Sequence, residues 1–208
     1  MSPREQALSN IPEAKKWTGG AIGALNRVIG FSGKRSEIQN LREFKALQTH
    51  FHVTLGPPPG LLLRILRILP FVGQDPALEI LIVIRSNYFS ILGALSNNSI
   101  FLDSPAEGEG EDATAFVPMI RDGTIRITPL YLGIGPLNQV LVLVHEATHF
   151  LGDRFQDFAY RKRKGTEASD PTKYLDLPIE FAIFNADSYA YFALQMFKGI
   201  NRILEREE

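Results

Sequence analysis

The sequence predicts a single α+β domain, mostly helical, with a small β-sheet beside one central helix. Three observations carry that reading. Apolar residues recur three or four apart in the first half of the chain and again near its end, the period of helices with one buried face. In the middle the pattern changes to short runs flanking Asp122-Gly123, the two-residue signal of a β-hairpin. The chain of 208 residues is long enough for one full core, and no repeat or linker divides it.

Taken in order, residues 1–20 read as a flexible N-terminal extension of a domain spanning 1–208. A helical pattern is already visible from Pro12 to Phe31, weakened by Gly19, Gly20 and Gly23. Ile38, Leu41, Phe44, Leu47 and Phe51 then form one helical stripe, with Ser36 as its N-cap. Pro57-Pro58-Pro59-Gly60 closes this region. Leu61 to Val72 is too short to span a bilayer and carries Arg64 and Arg67, so it reads as packed core rather than a membrane-surface segment. Asp75-Pro76 opens a helix running to about Leu95, apolar nearly all round and therefore buried. No transmembrane segment is expected.

Asp103 to Asp112 is an acidic loop without the ligand pattern of a calcium site, and reads as solvent-facing. Ala115 to Arg121 and Thr124 to Thr128 are the hairpin strands. Gly133, Gly135 and Pro136 turn the chain into a helix from Pro136 to Leu151, with Gly152 placed to stop it. A polar stretch of about 25 residues follows, long enough for a functional loop. It includes Arg161-Lys162-Arg163-Lys164, whose expected state is solvated. Pro178 to Phe197 is the last helix, ending near Gly199.

Composition narrows the function. Lys and Arg total 22 against 23 Asp and Glu, a formal net charge of -1, which argues against nucleic acid as a partner. There is no cysteine, so a metal would have to be held by His, Asp or Glu. Met1 to Thr18 has no apolar run of the secretory type, and no signal peptide is visible. The localisation is unknown on this reading, and a leaderless export route stays open.

Two of the four histidines lie in Val144-His145-Glu146-Ala147-Thr148-His149. Residues four apart on a helix differ by about 40° around its axis, so both imidazoles face one ion. Glu146, at the edge of that face, is placed to take a proton from a water on the metal rather than to ligate. The run Val140 to Val144 would bury the helix and hold the ligands rigidly. His50 and His52, by contrast, sit at a helix end and read as structural.

A hydrolytic zinc site needs a third protein ligand. The metzincin spacing would put a histidine at 155, where this chain has Phe155. The acidic candidates are Asp153, Asp157, Glu180 and Asp187. Glu180 follows His149 by 31 residues, a separation found in zinc sites with a glutamate third ligand. Asp187 is expected on the same face of the same helix as Glu180.

Asp157-Phe158-Ala159-Tyr160 resembles the segment that follows the zinc helix in the aspzincins, the deuterolysin-like and lysine-specific metalloendopeptidases. Thr124 to Tyr131 is similar to the strand before that helix, Asn185 to Phe192 to the N-A-D-x-Y-x-Y-F helix, and Leu47 to Phe51 to an early helix end. The resemblance spans about Leu25 to Phe192 and is carried by three short blocks. Phe155-Gln156 replaces the family's Gly-Thr with one residue fewer, and Arg161 stands where the closing glycine would be.

The resemblance implies a zincin-type domain whose zinc is held by His145, His149 and Asp157. Glu146 would be the general base and Tyr160 the donor to the oxyanion. Asp187 is expected to orient a ligand histidine by a hydrogen bond. A peptide or protein substrate would add a strand along an exposed edge of Thr124 to Thr128. Two other readings remain: a zinc peptidase with Glu180 as third ligand, and a non-enzymatic binding module with a degenerate motif. A toxin or effector domain, partnered by an inhibitor or immunity protein, would share the peptidase chemistry.

Overall fold

The computed structural model describes residues 1–56, 60, 76–102, 113–118, 123–161 and 171–201. The expectations for 61–72, for the acidic loop 103–112, for the hairpin turn at 119–122 and for Lys162 to Lys164 lie outside the described residues.

Helix α1 runs from Pro3 to Ile29. Ser2 caps it, Glu5 closes the capping box, and Pro3 occupies the first turn, where its missing N–H costs nothing. Residues 1–20 are therefore no flexible extension. Ala7, Ile11, Ala14, Trp17 and Thr18 are buried, and that burial outweighs the low helix propensity of the glycines. Gly20 has a packing reason: a Cβ there would stand 3.3 Å from Phe197 Cβ.

The stripe expected on one helix is divided between α2 (Arg35–Ile38) and α3 (Arg42–Phe51). Ser36 is not the cap, because Glu37 bonds the backbone N–H of Lys34 and starts the turn earlier. Phe44, Leu47 and Phe51 are buried on α3. Helix α4 (Pro76–Ser96) follows. Its stretch Ala77–Ser96 is long and apolar enough to cross a membrane by length and composition, and 44% of it is buried inside the protein. Polar bonds tie it there: the Tyr88 hydroxyl donates to the Tyr189 carbonyl, and the Asn87 amide donates to the Tyr189 hydroxyl.

Strands β1 (Phe101–Leu102), β2 (Ala115–Phe116) and β3 (Ile125–Ile127) form a sheet in the order β1-β3-β2. The hairpin pairing is antiparallel, with Ala115 opposite Ile127. Strand β1 adds in parallel on the other side of β3. The expected exposed edge along Thr124 to Thr128 is thus taken on both sides, and among the described residues the edges belong to β1 and β2.

Helix α5 (Pro136–His149) carries the histidine motif. Past it, Gly152 adopts φ +141°, a conformation side chains resist, and its N–H bonds the His149 carbonyl. The chain reverses there. After α6 (Pro171–Leu175), the expected final helix is broken into α7 (Ile179–Ala182) and α8 (Ala186–Lys198). The loop after α5 enters the break. Gln156 donates to the Phe184 carbonyl, Ala186 donates back to Gln156, and the Asn185 side chain accepts from Ala159 N–H. Glu180 and Asp187 consequently lie on different helices. The core collects α1, α3, α4, α5 and α8 around Trp17, Phe51, Tyr88 and Phe192.

Candidate metal centre

Two short hydrogen bonds decide what His145 and His149 offer. His145 Nδ1 lies 2.7 Å from Asp187 Oδ1, and His149 Nδ1 lies 3.0 Å from the Phe155 carbonyl. Both partners only accept, so each ring carries its proton on Nδ1 and presents an Nε2 lone pair. Those lone pairs converge. The two Nε2 atoms are 3.1 Å apart, and each is 3.1 Å from Asp157 Oδ1. Three electron-rich atoms at this spacing repel unless a proton or a metal ion sits among them.

The donor set fits zinc. Bonds of about 2.0–2.1 Å to a tetrahedral ion place neighbouring ligand atoms roughly 3.3 Å apart, close to the three 3.1 Å edges found here. Among the described residues, His145, His149 and Asp157 are the group able to hold a metal. Neither Glu180 nor Asp153 joins it.

The electrostatics agree. Burial disfavours a charged His145, but the Asp157 and Asp187 carboxylates outweigh it and raise its pKa well above the ordinary value. Burial likewise opposes charge on His149, and Asp157 leads the forces that raise it. Burial would raise Asp157, yet the two imidazoles hold its carboxyl below the usual carboxylate range. The second oxygen of Asp157 accepts from the Tyr160 hydroxyl at 2.5 Å. The Tyr160 ring stacks beside that of His145, with centroids 6.1 Å apart.

Glu146 is buried next to this cluster, and burial raises its pKa. The nearby imidazoles of His145 and His149 and the backbone of Val117, at the exit of β2, oppose that rise. Asp187 is also buried, with Oδ1 on His145 and Oδ2 on the backbone N–H of Arg161, each at 2.7 Å.

Sequence reasoning missed several contributors. The Phe155 carbonyl and Val117 N–H are backbone groups and leave no signal in residue identity. Asn185 was legible only as part of a helix pattern. Arg161 was hidden at the head of a basic run and expected in solvent; instead it is buried. His50 is structural: Tyr174 and Gln195 take its two nitrogens.

No family model matches the chain, and no curated protein matches it. Among solved structures it is similar to a zinc peptidase from Grifola frondosa, with a TM-score of 0.53 and 16% identity. The alignment covers 92% of this chain and 94% of that chain. At that identity the likeness is one of architecture: the chain has a zinc-peptidase-like α+β fold.

Proposed function

We propose that the protein is a zinc-dependent endopeptidase of the aspzincin type. One observation carries the proposal: two imidazole lone pairs and one carboxylate oxygen meet at 3.1 Å with both Nδ1 protons already committed elsewhere. The zinc-peptidase-like fold supports it.

His145, His149 and Asp157 would hold the ion. Zinc so held supplies a Lewis acid for the scissile carbonyl and makes water a nucleophile near neutral pH. Glu146 accepts the proton of the attacking water and later delivers it to the departing amine. Tyr160, whose hydroxyl rests on Asp157, donates to the oxyanion as the carbonyl becomes tetrahedral. Asp187 keeps His145 in the tautomer that ligates. A peptide would run beside β2, the edge strand whose end touches Glu146. A toxin or effector setting would use the same residues on a different substrate.

The test is metal analysis beside proteolysis. Purified protein should hold one zinc per chain and cleave an unfolded protein such as casein. The His145→Ala variant should do neither. Wild-type protein that takes up no zinc would sink the proposal.

A further inference from the structure

We infer that Arg161 is a positioning residue for the metal centre: its buried guanidinium anchors the loop so that its own N–H fixes Asp187, and Asp187 fixes His145. The inference deepens the reading of His145 as a zinc ligand and rests on it.

The side chain of Arg161 turns inward although three basic residues follow it in sequence. Nη2 donates to both the carbonyl and Oδ1 of Asn201, at 3.1 and 2.9 Å. Nη1 lies 3.2 and 3.3 Å from the ring nitrogens of His50. The guanidinium also lies over the rings of Tyr174 and Tyr191, at 5.8 and 5.2 Å. His50 is neutral here, since Gln195 Oε1 accepts from its Nε2 and the Tyr174 hydroxyl donates to its Nδ1.

Among the described residues, then, the side-chain partners of this cation are all uncharged. Burying a charge without an ion pair is costly, and packing alone would favour an apolar side chain. What the buried head secures is the position of its own backbone. The Arg161 N–H meets Asp187 Oδ2 at 2.7 Å, and the other oxygen of that carboxylate meets His145 Nδ1 at the same distance. The anchor holds from several directions at once: Asn201 past the end of α8, Tyr191 within α8, His50 on α3 and Tyr174 on α6. A shift of the loop by about an ångström would stretch the Arg161–Asp187 bond beyond hydrogen-bond range and loosen the carboxylate that holds the His145 ring.

The experiment compares Arg161→Met, Arg161→Lys and Asn201→Ala with wild type. Val28→Ala, a core truncation in α1, serves as the control for simple destabilisation. Zinc affinity is read by chelator competition. The downfield proton of His145 Nδ1–H is read by NMR in metal-free protein and assigned by its loss in Asp187→Asn. Arg161→Met should weaken zinc about 10- to 100-fold, the usual cost of losing an outer partner of a ligand, and should broaden or abolish the Nδ1–H signal. Asn201→Ala should move both in the same direction by less. Val28→Ala should lower the melting temperature and move neither.

The inference is overturned if Arg161→Met and Asn201→Ala keep wild-type zinc affinity and an unchanged signal. It is overturned equally by lost affinity with the signal intact, because the effect then bypasses His145. Should Arg161→Met not fold, Arg161→Lys and Asn201→Ala decide by the same signal. Because that signal is read without metal, wild-type protein that binds no zinc refutes the peptidase reading while leaving the link from Arg161 to His145 testable.

Discussion

His50 and His145 are both enclosed imidazoles with partners on both nitrogens, yet their basicity is pushed in opposite directions. At His50 one partner accepts and the other donates, which is what a neutral ring needs. Burial and the nearby Arg161 charge then press its pKa down to about 3. At His145, Asp187 accepts from Nδ1–H, and among the described residues the other nitrogen faces Asp157 Oδ1 and His149 Nε2. Burial again resists charge, but the carboxylates prevail and the pKa rises. The difference lies in the partners. A ring whose hydrogen bonds are complementary is finished, whereas a lone pair facing other acceptors calls for a cation.

The sharpest way to break this contrast is at Glu146, which should serve the cluster without belonging to it. Glu146→Gln should leave zinc content at wild-type level and lower proteolysis by about 10²- to 10⁴-fold. Loss of the metal, or near-normal turnover, would show that the carboxylate plays another part.

Next in size is the third ligand. Asp157→Ala should weaken zinc binding at least about 100-fold, measured by chelator competition, since it removes one corner of the triangle. Asp153→Ala should leave affinity unchanged, because Asp153 is exposed and outside the group. The reverse result would remove the basis of the aspzincin reading.

Tyr160→Phe tests the edge of the cluster. Zinc affinity should hold within a few-fold while kcat falls roughly 100-fold, the common cost of one oxyanion donor. An equal fall in zinc affinity would mean that the hydroxyl serves only to steady Asp157.

The smallest effect sharpens the other half of the contrast. The folded pKa of His50 lies below its ordinary 6.5, so its contribution to stability is complete above pH 6.5. It is lost progressively as pH falls from there toward about 3. Between pH 7 and pH 5 this amounts to about 2 kcal/mol. Urea unfolding of metal-free wild type and His50→Asn at both pH values should show the wild type losing more by that margin. Parallel losses would mean that His50 does not stay neutral in the folded state.

Much of this arrangement was legible in residue order. The four-residue spacing of His145 and His149 survives any detail of packing, because helix geometry alone places both on one face. Asp157 and Tyr160 stood out through the motif they resemble, and the structure brings both to the two histidines. The failures share a cause. Residues 1–20, the supposed single helix from Pro178 and the free edge of β3 were judged from local pattern, and each is decided by contacts distant in sequence. Trp17 and its neighbours are drawn into the core, Gln156 pairs at the break before Asn185, and β1 arrives from the other side of the sheet. Arg161 was unreadable for a related reason: a basic run looks solvated until the fold supplies a pocket for one member of it.

The meeting of Arg161 and Tyr174 at His50 has a consequence for how such a protein can diversify. Both residues contact the same ring, so positions 161 and 174 are pinned to one point of the core although they are well apart in sequence. Lengthening a segment whose ends the fold already holds together costs little, about 0.6 kcal/mol for each doubling. A change of length between 161 and 174 would leave Arg161, Tyr174 and His50 where they are, and with them the Arg161 N–H that meets Asp187.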